Sequence, residues 1–447
     1  MNSDIILKAV DKNREWAISK LNEYLKIPSV SAQNSGIKES VAFLQRTFTE
    51  IGLDVKICEA GGSPVVFASK NVGGNKTILF YNHYDVQPPE PLDEWLSPPF
   101  EPTIRDGKIF ARGVSDNKAN LITRIAAVKT FKDANTNPSV NIKFVVEGEE
   151  EVGSEHLPNF TTQYRNLLDT DLCIWESASK DEVGRPQIIL GCKGMVHGEL
   201  VAKGANTDLH SSRAVIIPNP AWRVVWALAT IKDKNENILI KGFYDDAVIP
   251  DENEKKLLEE IPFEEDKLRK NLGLSSFVNN LSGFDLKHRF FYSPTFTING
   301  FTGGYQGKGS KTVLPKIATA KFDIRLVPNM QPDDIVKKLR KHLDENGFAD
   351  IEIADVKGYP PARTPYNNPY VRIIAETGKE VWQKEMVVYP STPASGPMYL
   401  FSKIAPCIGL GVGHAQSNSH APNESVYIED FYIGTKHIAN ILAKMGG

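Results

Sequence analysis

The sequence contains 447 residues, 41% of them hydrophobic, so it is too long for one hydrophobic core and long enough for two domains. Its formal net charge is −3, which excludes a strongly basic surface for nucleic acid or an anionic membrane. Lys8 and Asp11 interrupt the apolar N-terminal segment, which predicts an amphipathic helix and not a signal peptide. The most apolar later segment, 221–231, contains Arg223 and is too short to span a bilayer.

The cysteines lie far apart and lack the paired spacing of a disulfide framework or a zinc knuckle. They are Cys58, Cys173, Cys192 and Cys407. Buried free thiols are therefore predicted, and these suit a reducing cytoplasm.

The first part of the chain alternates between helical and strand patterns. Residues 5–27, 37–51 and 118–131 are predicted helices, and residues 77–81 and 141–146 are short apolar runs typical of buried strands. This order predicts an α/β fold with a largely parallel, helix-covered sheet. Such sheets place active sites just after the ends of their strands.

From about Gly194 the pattern becomes that of a separate α+β unit. Its predicted elements are a strand, a helix at 220–231, a charged stretch at 251–271, strands near Phe296 and Phe322, and a helix at 333–346. Prolines in 358–365 predict the exit from this unit, followed by a helix near 368–383 and a strand at 407–410. We therefore predict a catalytic domain of residues 1–193 and 362–447 with an inserted domain of residues 194–361.

Residue types that bind metals occur at the ends of the predicted elements. His83 follows a strand, and Asp85 could accept the proton of its second ring nitrogen. For this pair alone, an ordinary strand-end histidine with a local carboxylate partner is the favoured interpretation. Asp116 stands at a predicted helix start, where a helix N-cap and a metal-bridging carboxylate are equally good interpretations.

The run Glu147-Gly148-Glu149-Glu150-Glu151 is hard to explain structurally, because adjacent like charges at a strand end repel each other. A solvated acidic loop remains an alternative. Metal cations would relieve the repulsion, and one glutamate could bind metal while its neighbour acts as a general base. Glu176 adds another strand-end carboxylate, and either His414 or His420 could complete the set on spacing grounds. Such residues can hold two divalent ions about 3.5 to 4 Å apart, which predicts a two-metal hydrolase.

These motifs resemble the co-catalytic di-metal peptidases, which include glutamate carboxypeptidase, carnosinase-type dipeptidases and aminoacylase. The resemblance covers most of the chain. The strings that carry it include His83-Tyr84-Asp85-Val86-Gln87-Pro88, the 106–118 stretch, Glu150-Glu151-Val152-Gly153-Ser154, Lys311-Thr312-Val313-Leu314-Pro315, Asp323-Ile324-Arg325-Leu326-Val327-Pro328 and His420-Ala421-Pro422-Asn423-Glu424.

The resemblance implies a ligand set for two metal ions. His83 and Glu176 would bind one ion, Glu151 and His420 the other, and Asp116 would bridge them. Zinc is expected from this mixture of histidine and carboxylate ligands, although manganese or cobalt would also fit.

The resemblance also assigns roles beside the metals. Glu150 would be the general base that deprotonates a water between the metals, and Asp85 the hydrogen-bond partner of His83. His420 is chosen over His414 because it precedes the Ala-Pro-Asn-Glu string, which leaves His414 as loop structure.

The inserted domain resembles this family's ferredoxin-like lid, which commonly makes a homodimer contact. His210 matches a histidine that reaches the oxyanion of the partner's site, and Arg325 matches an arginine that binds the substrate carboxylate. The alternatives are an ordinary loop histidine and a strand-edge ion pair. Ser395 and Gly396 resemble part of a substrate-contacting loop.

The expected activity is hydrolysis of an amide bond in a small peptide or amino-acid derivative with a free carboxylate, as in a dipeptidase or carboxypeptidase. An N-acyl or N-carbamoyl amino-acid amidohydrolase on the same scaffold is the alternative. A third possibility is an inactive binding protein, which the presence of Glu150 and all five ligand residues opposes. Asn82, Ala111, Asn117 and Ala119 depart from the family pattern beside the ligands, and the Ser395 loop lacks the Gly-Gly-Ser form of carnosinase-like members.

Overall fold

The structure is a computed structural model that describes residues 3–446. Within this range the α-helices are α1 (Ser3–Lys12), α2 (Arg14–Leu25), α3 (Ile37–Glu50), α4 (Ala119–Asp133), α5 (Leu157–Gln163), α6 (Pro220–Ile231), α7 (Glu252–Glu260), α8 (Glu265–Asn271), α9 (Gly283–Tyr292), α10 (Pro332–Glu345), α11 (Pro369–Trp382), α12 (Met398–Ser402) and α13 (Ile428–Lys444). The β-strands are β1 (Asp54–Cys58), β2 (Val65–Lys70), β3 (Thr77–His83), β4 (Thr103–Arg105), β5 (Lys108–Phe110), β6 (Asn141–Glu147), β7 (Leu172–Trp175), β8 (Gln187–Ile189), β9 (Gly191–Lys203), β10 (Leu209–His210), β11 (Thr295–Gly303), β12 (Val313–Leu314), β13 (Ile317–Leu326), β14 (Glu352–Tyr359), β15 (Ala362–Arg363), β16 (Val387–Tyr389), β17 (Thr392–Ser395), β18 (Cys407–Gly409) and β19 (Ser425–Tyr427).

An eight-stranded mixed sheet, in the order β1-β2-β6-β3-β7-β18-β8-β16, forms the centre of the catalytic part. The neighbours β6, β3, β7 and β18 are parallel, whereas β1, β2 and β6 pair antiparallel. The α/β fold expected from the sequence is confirmed. Because the four central strands point the same way, the loops after them open at one edge of the sheet.

Helices bury this sheet. In α4, nearly every side chain is buried, and α13, whose side chains are also mostly buried, packs against it. The helix predicted at 5–27 is in fact two helices, α1 and α2, which meet at Asn13. Asparagine is a weak helix former, so a polar junction is accommodated there while both helices keep an apolar face.

A second hydrophobic core lies between residues 196 and 351. The antiparallel path β11-β13-β9-β14 forms its sheet, and α6 and α10 pack into the same core. Asn219 caps α6 through a hydrogen bond to the Ala221 N–H, and Pro220 occupies the first turn, so the predicted start at residue 220 has a clear local cause.

Strand β9 belongs to both parts of the molecule. Its first residues pair with β15 and β17, and the rest pairs with β13 and β14. The division at residues 194 and 361 stays a prediction, since one continuous strand crosses the first of these positions.

The charged stretch predicted at 251–271 contains α7 and α8. Leu258 and Ile261 of this stretch form a small core with Phe291 and Tyr292 of α9 and Val387 of β16. Buried Glu254 pairs with Arg363 at the exit from the inserted unit. The segment before β11 therefore attaches the second unit to the central sheet.

Two sequence-based expectations concern the whole chain. All four cysteines are buried and free, as predicted. Among residues 3–446, no helix combines the length and the apolar character needed to cross a membrane.

Candidate metal centre

Three predicted ligand residues lie at the ends of neighbouring central strands. His83 is the last residue of β3 and does not follow the strand as expected, because β3 extends two residues beyond the predicted end at residue 81. Glu176 directly follows β7, and Glu151 lies in the short turn after β6. Since β6, β3 and β7 are adjacent and parallel, these side chains meet at one edge of the sheet.

Asp116 reaches this edge from a segment that departs from regular helix. Its backbone, at φ −125° and ψ 84°, interrupts the helical turn formed by residues 114–118. The carboxylate of buried Glu424 accepts hydrogen bonds from the N–H groups of Gly113, Ser115 and Asp116, at 2.8, 2.7 and 2.9 Å. Glu424 also pairs with Arg112 at 2.9 Å. The Asp116 backbone is thus held by a buried carboxylate from the last loop.

The carboxylate of Asp116 lies between two histidines. Its Oδ1 is 3.0 Å from Nε2 of His83, and its Oδ2 is 3.1 Å from Nε2 of His420. Glu176 Oε2 is 3.4 Å from His83 Nε2, and Glu151 Oε2 is 3.1 Å from His420 Nε2. All five predicted ligand residues therefore form one contiguous group. One atom each of His83, Asp116 and Glu151 lies within 4.8 Å of the others.

The chemistry of this group fits bound cations. Glu151 Oε1 and Glu176 Oε2 are buried without a hydrogen-bond partner, which is costly for a carboxylate oxygen unless a cation satisfies it. Burial raises the pKa of Glu176 to about 8. Burial opposes ionisation of Asp116 too, but hydrogen bonds from His420 and His83 hold its pKa below the usual range. Two divalent ions would relieve both the repulsion and the missing contacts.

Asp85 contacts more than the histidine it was expected to orient. Its carbonyl oxygen is 3.0 Å and its Oδ1 3.4 Å from Nδ1 of His83. Its carboxylate also accepts hydrogen bonds from the N–H groups of Glu150 and Glu151, at 3.3 and 3.0 Å. Asp85 thus links the His83 strand to the acidic turn.

The side chains of the four glutamates in the acidic run have different surroundings in the structure. Glu147 accepts hydrogen bonds from Tyr81 and Ser154 at 2.5 and 2.8 Å, and Glu149 contacts His156 at 2.9 Å. These two carboxylates have structural partners. Glu150 faces a cavity, and burial raises its pKa well above the usual range.

The cavity beside Glu150 measures about 80 Å³. Its lining residues are Glu150, Gly153, Ser154, Tyr359, Ser395, Gly396, Pro397 and Tyr399. Arg325 Nη1 donates a hydrogen bond of 2.7 Å to Ser395 Oγ. The structure therefore places Ser395 and Gly396 in the same cavity as Glu150, and Arg325 of the inserted unit contacts this cavity through Ser395.

The sequence did not identify Tyr359 and Tyr399 as residues that line the cavity. Tyr359 lies in the Gly-Tyr-Pro-Pro stretch that was interpreted only as the exit from the inserted unit. Tyr399 follows the Ser395 loop by four residues, and its closeness to that loop was the one available signal.

The other two histidines considered in the sequence analysis, His210 and His414, lie outside the group of five predicted ligand residues. His210, on the short strand β10, is exposed, and its ring nitrogens contact Ser212 at 2.9 Å and Thr312 at 3.5 Å. Within residues 3–446, no hydrogen bond joins it to the five ligand residues. His414 is buried in its loop, where Nε2 lies 3.4 Å from Ser425 Oγ, and burial lowers its pKa to about 4.

Histidines and carboxylates thus meet at a strand edge, beside a cavity lined by the partly buried Glu150, and this arrangement is typical of metal-dependent hydrolases. Residues 79–444 match Peptidase family M20/M25/M40, and the chain belongs to this family of metallopeptidases.

Curated relatives of the chain include two dipeptidases. The Cys-Gly metallodipeptidase of Schizosaccharomyces pombe is 29% identical over 367 residues, which cover 77% of this chain and 76% of the relative. The Beta-Ala-His dipeptidase of Mus musculus is 27% identical over 466 residues, which cover 96% of this chain and 93% of the relative.

Solved structures also match almost the whole chain. The M20 family metallo-carboxypeptidase Sso-CP2 of Sulfolobus solfataricus has a TM-score of 0.89 and 38% identity, with 96% of this chain and 99% of that chain covered. Human carnosine dipeptidase 1 has a TM-score of 0.80 and 25% identity, with 100% and 99% covered.

Proposed function

We propose that this metallopeptidase removes the C-terminal residue of dipeptides and short peptides that carry a free carboxylate. The observation that carries the proposal is the contact of Arg325 with Ser395 at the cavity that also contains Glu150. An arginine binds a carboxylate through a planar pair of N–H donors. A carboxylate held there would leave the adjacent amide bond near Glu150.

In this proposal, five residues of the chain bind the metal ions and Glu150 acts as the base. His83 and Glu176 would hold one divalent ion, Glu151 and His420 the other, and the two oxygens of Asp116 would serve both. Bound ions would polarise the scissile carbonyl and make water a nucleophile near neutral pH. Glu150 is not needed as a ligand in this scheme.

Glu150 would accept the proton of the attacking water and pass it to the leaving amine. Asp85 supports it by holding the N–H groups of both Glu150 and Glu151, so that the base and its metal-binding neighbour keep fixed positions.

We propose zinc as the native metal, because imidazole and carboxylate donors suit it. Manganese and cobalt accept the same donors. The four buried free thiols support a reducing compartment, and we propose the cytoplasm.

A homodimer would complete the site. Helix α6 exposes Trp222 and Trp226, at 55% and 52% of their surface, and Ile298 on strand β11 is exposed at 51%. Strand β11 lies at an edge of its sheet, where backbone groups are free to pair with another chain. A second copy of this chain would cover these apolar side chains, and exposed His210 could then serve the partner's oxyanion.

The test is a substrate panel run with the metal content measured on the same sample. Enzyme loaded with zinc, manganese or cobalt is assayed on dipeptides, tripeptides, C-terminally amidated dipeptides, and N-acetyl and N-carbamoyl amino acids. We expect turnover of the free-carboxylate peptides. Faster turnover of the acylated or carbamoylated amino acids would replace the proposal with an amidohydrolase, and no turnover of any substrate by the metal-loaded protein would indicate a binding protein.

A further inference from the structure

A buried arginine joins the strand ends that carry the predicted metal centre. Arg124 of α4 is 1% exposed, and among residues 3–446 it has no ion-pair partner. Its guanidinium donates instead to four backbone carbonyl oxygens and one side-chain oxygen. These acceptors are the carbonyl oxygens of Tyr81, Trp175, Glu176 and Leu410, at 2.8, 2.7, 2.9 and 3.1 Å, and Oδ1 of Asn82. A charge is costly to bury unless its donors are satisfied, so these contacts together hold the guanidinium in place.

The acceptors belong to three adjacent strands of the central sheet. They lie in β3 and β7 or directly after β7 and β18, and β7 lies between the other two strands. The planar guanidinium therefore crosses the carboxyl ends of all three strands. Two predicted ligands, His83 and Glu176, stand at the ends of β3 and β7. Arg124 thus fixes the two strand ends that carry these ligands relative to each other.

Two asparagines extend the contacts of the arginine to Glu176. Asn82 accepts a hydrogen bond from Arg124 and donates one to Oδ1 of Asn117, and Asn117 Nδ2 donates to the Glu176 carbonyl oxygen at 3.0 Å. Because a guanidinium only donates, it fixes the orientation of the Asn82 amide, and that amide fixes the orientation of Asn117. Both asparagines are buried, and both stand where the chain departs from the family pattern. We call these three residues the Arg124 network.

The Arg124 network contacts one of the two sides of the predicted metal centre. By residue type the His83–Glu176 side and the Glu151–His420 side are alike, since each has one histidine, one glutamate and one oxygen of the shared aspartate. The Glu176 carbonyl oxygen accepts hydrogen bonds from two members of the network, which fixes the peptide that carries this side chain. Within residues 3–446, no hydrogen bond joins the network to Glu151 or His420. The two sides therefore differ in how their glutamate is held.

We infer that Arg124 is a positioning residue for the metal centre and that, through Asn82 and Asn117, it sets the metal affinity of the His83–Glu176 side alone. Hydrogen-bond partners behind a metal ligand orient it, and loss of one typically lowers metal affinity by about 10- to 100-fold. The inference rests on the ligand assignment of the proposed function and extends it, because it makes the two metal sites unequal.

The test measures zinc affinity on each side of the centre separately, in the full chain. His420→Ala leaves only the His83–Glu176 side complete, and His83→Ala leaves only the Glu151–His420 side. Each protein is prepared with and without Arg124→Lys, stripped of metal and titrated with zinc against a competing chelator.

Lysine is the informative replacement for Arg124. It keeps the positive charge, but its single nitrogen cannot reach acceptors on three strands. We expect Arg124→Lys to weaken zinc binding by about 10-fold or more in the His420→Ala background, because Glu176 is no longer held. In the His83→Ala background, zinc affinity should stay unchanged.

A second variant and a control accompany this measurement. Asn82→Ala breaks the link between the arginine and Asn117 but keeps the guanidinium, so it should weaken the same side by a smaller factor. Asn440→Ala is the matched control, because Asn440 is a buried asparagine on α13 that donates to the Thr377 carbonyl oxygen and to Glu380, at 3.2 and 2.8 Å. It should lower the free energy of unfolding and leave zinc affinity on both sides unchanged.

The outcomes separate this inference from the proposed function. Equal weakening of both sides by Arg124→Lys would mean that the network supports the fold as a whole, and only the inference would be wrong. Unchanged zinc affinity in the His420→Ala background, with both Arg124→Lys and Asn82→Ala, would also overturn the inference and leave the ligand assignment intact. If neither single-histidine variant binds one zinc ion, the ligand assignment of the proposed function fails and the inference fails with it.

Discussion

The two groups of predicted functional residues differ in how completely one chain assembles them. At the edge of the central sheet, five ligand residues from separate segments lie within 3.0–3.4 Å of a neighbour in the group. In the inserted unit, His210 is exposed, and its ring nitrogens contact nearby Ser212 and Thr312. Arg325 is an intermediate case, because it belongs to the inserted unit but contacts Ser395 of the catalytic part within the same chain.

From this difference we expect metal binding and substrate binding to depend on different parts of the molecule. The predicted ligand group is held by the sheet and by the buried network around Glu424, so we expect a single folded chain to bind metal. For the residues of the inserted unit, we expect activity to require the correct placement of that unit or of a second chain. The predictions below test this division.

The largest effect is expected at the ligand group. His420→Ala should remove one metal ion and nearly all activity, because a methyl group cannot replace a metal ligand. His414→Ala is the matched control in the same loop and should keep nearly normal metal content. Metal analysis of both purified variants checks this, and equal metal loss in the two would show that the choice of His420 is wrong.

Glu150→Gln should reduce turnover by about 100- to 10,000-fold while both metals stay bound, because it removes a base and leaves the ligands in place. Metal content and kcat are measured on the same preparation. Loss of one ion in this variant would mean that the roles of Glu150 and its neighbour Glu151 are reversed.

The sequence could place the proposed ligand residues at strand ends because the signals for them are local. Apolar strands followed by His83 or Glu176 place these residues at strand ends, and parallel strand order then brings the ends together. The acidic run was only partly interpretable. Its charges indicated a metal site. The sequence did not show that Glu147 and Glu149 have other partners, because Tyr81 and His156 approach them only in the folded chain.

The cavity was less predictable because long-range packing creates it. Tyr359 and Tyr399 meet only after the inserted unit docks on the catalytic part, and no periodicity or motif marks such a meeting. The break at Asn13 was missed for a different reason. Both flanking segments have helical patterns, so the sequence did not reveal the short interruption between them.

The His210 prediction tests whether a second chain is needed. His210→Ala should lower kcat by about 100- to 1,000-fold with little change in KM, because an oxyanion donor acts mainly on the transition state. Mixing inactive Glu150→Gln and His210→Ala subunits should then restore activity, since one site in each mixed dimer has both residues. No recovery after demonstrated subunit exchange would mean that His210 acts within its own chain or has no role.

Arg325→Ala should reduce kcat/KM on free-carboxylate peptides by about 10- to 100-fold, mainly through KM. Loss of a charged hydrogen bond costs about 1.5 to 3 kcal/mol. The matching amidated peptides should be poor substrates of both enzymes and should lose little on mutation. An equal loss on both substrate forms would show that the arginine is structural.

The smallest expected effect is on the pH dependence of the free energy of unfolding, through one buried histidine in each hydrophobic core. His437 on α13 is buried in the catalytic core, where Nε2 lies 3.0 Å from the Ile374 carbonyl oxygen, and burial lowers its pKa to about 4. In the inserted unit, burial also lowers the pKa of His342, which contacts Thr230. A histidine with a lowered folded pKa binds its proton more readily in the unfolded chain, so it destabilises the fold as the pH falls.

For His437 the loss should begin near the unfolded pKa of about 6.5 and continue to about pH 4, reaching about 3 kcal/mol in the free energy of unfolding. Urea unfolding of metal-free wild type and His437→Gln, measured from pH 7.5 down to the acid limit of folding, would isolate this contribution as a difference in pH dependence. Glutamine can still donate to Ile374 but does not titrate. His342→Gln should change the slope less, because its environment is less enclosed. If His437→Gln and the wild type lose stability in parallel, His437 is not the group that couples the catalytic core to pH.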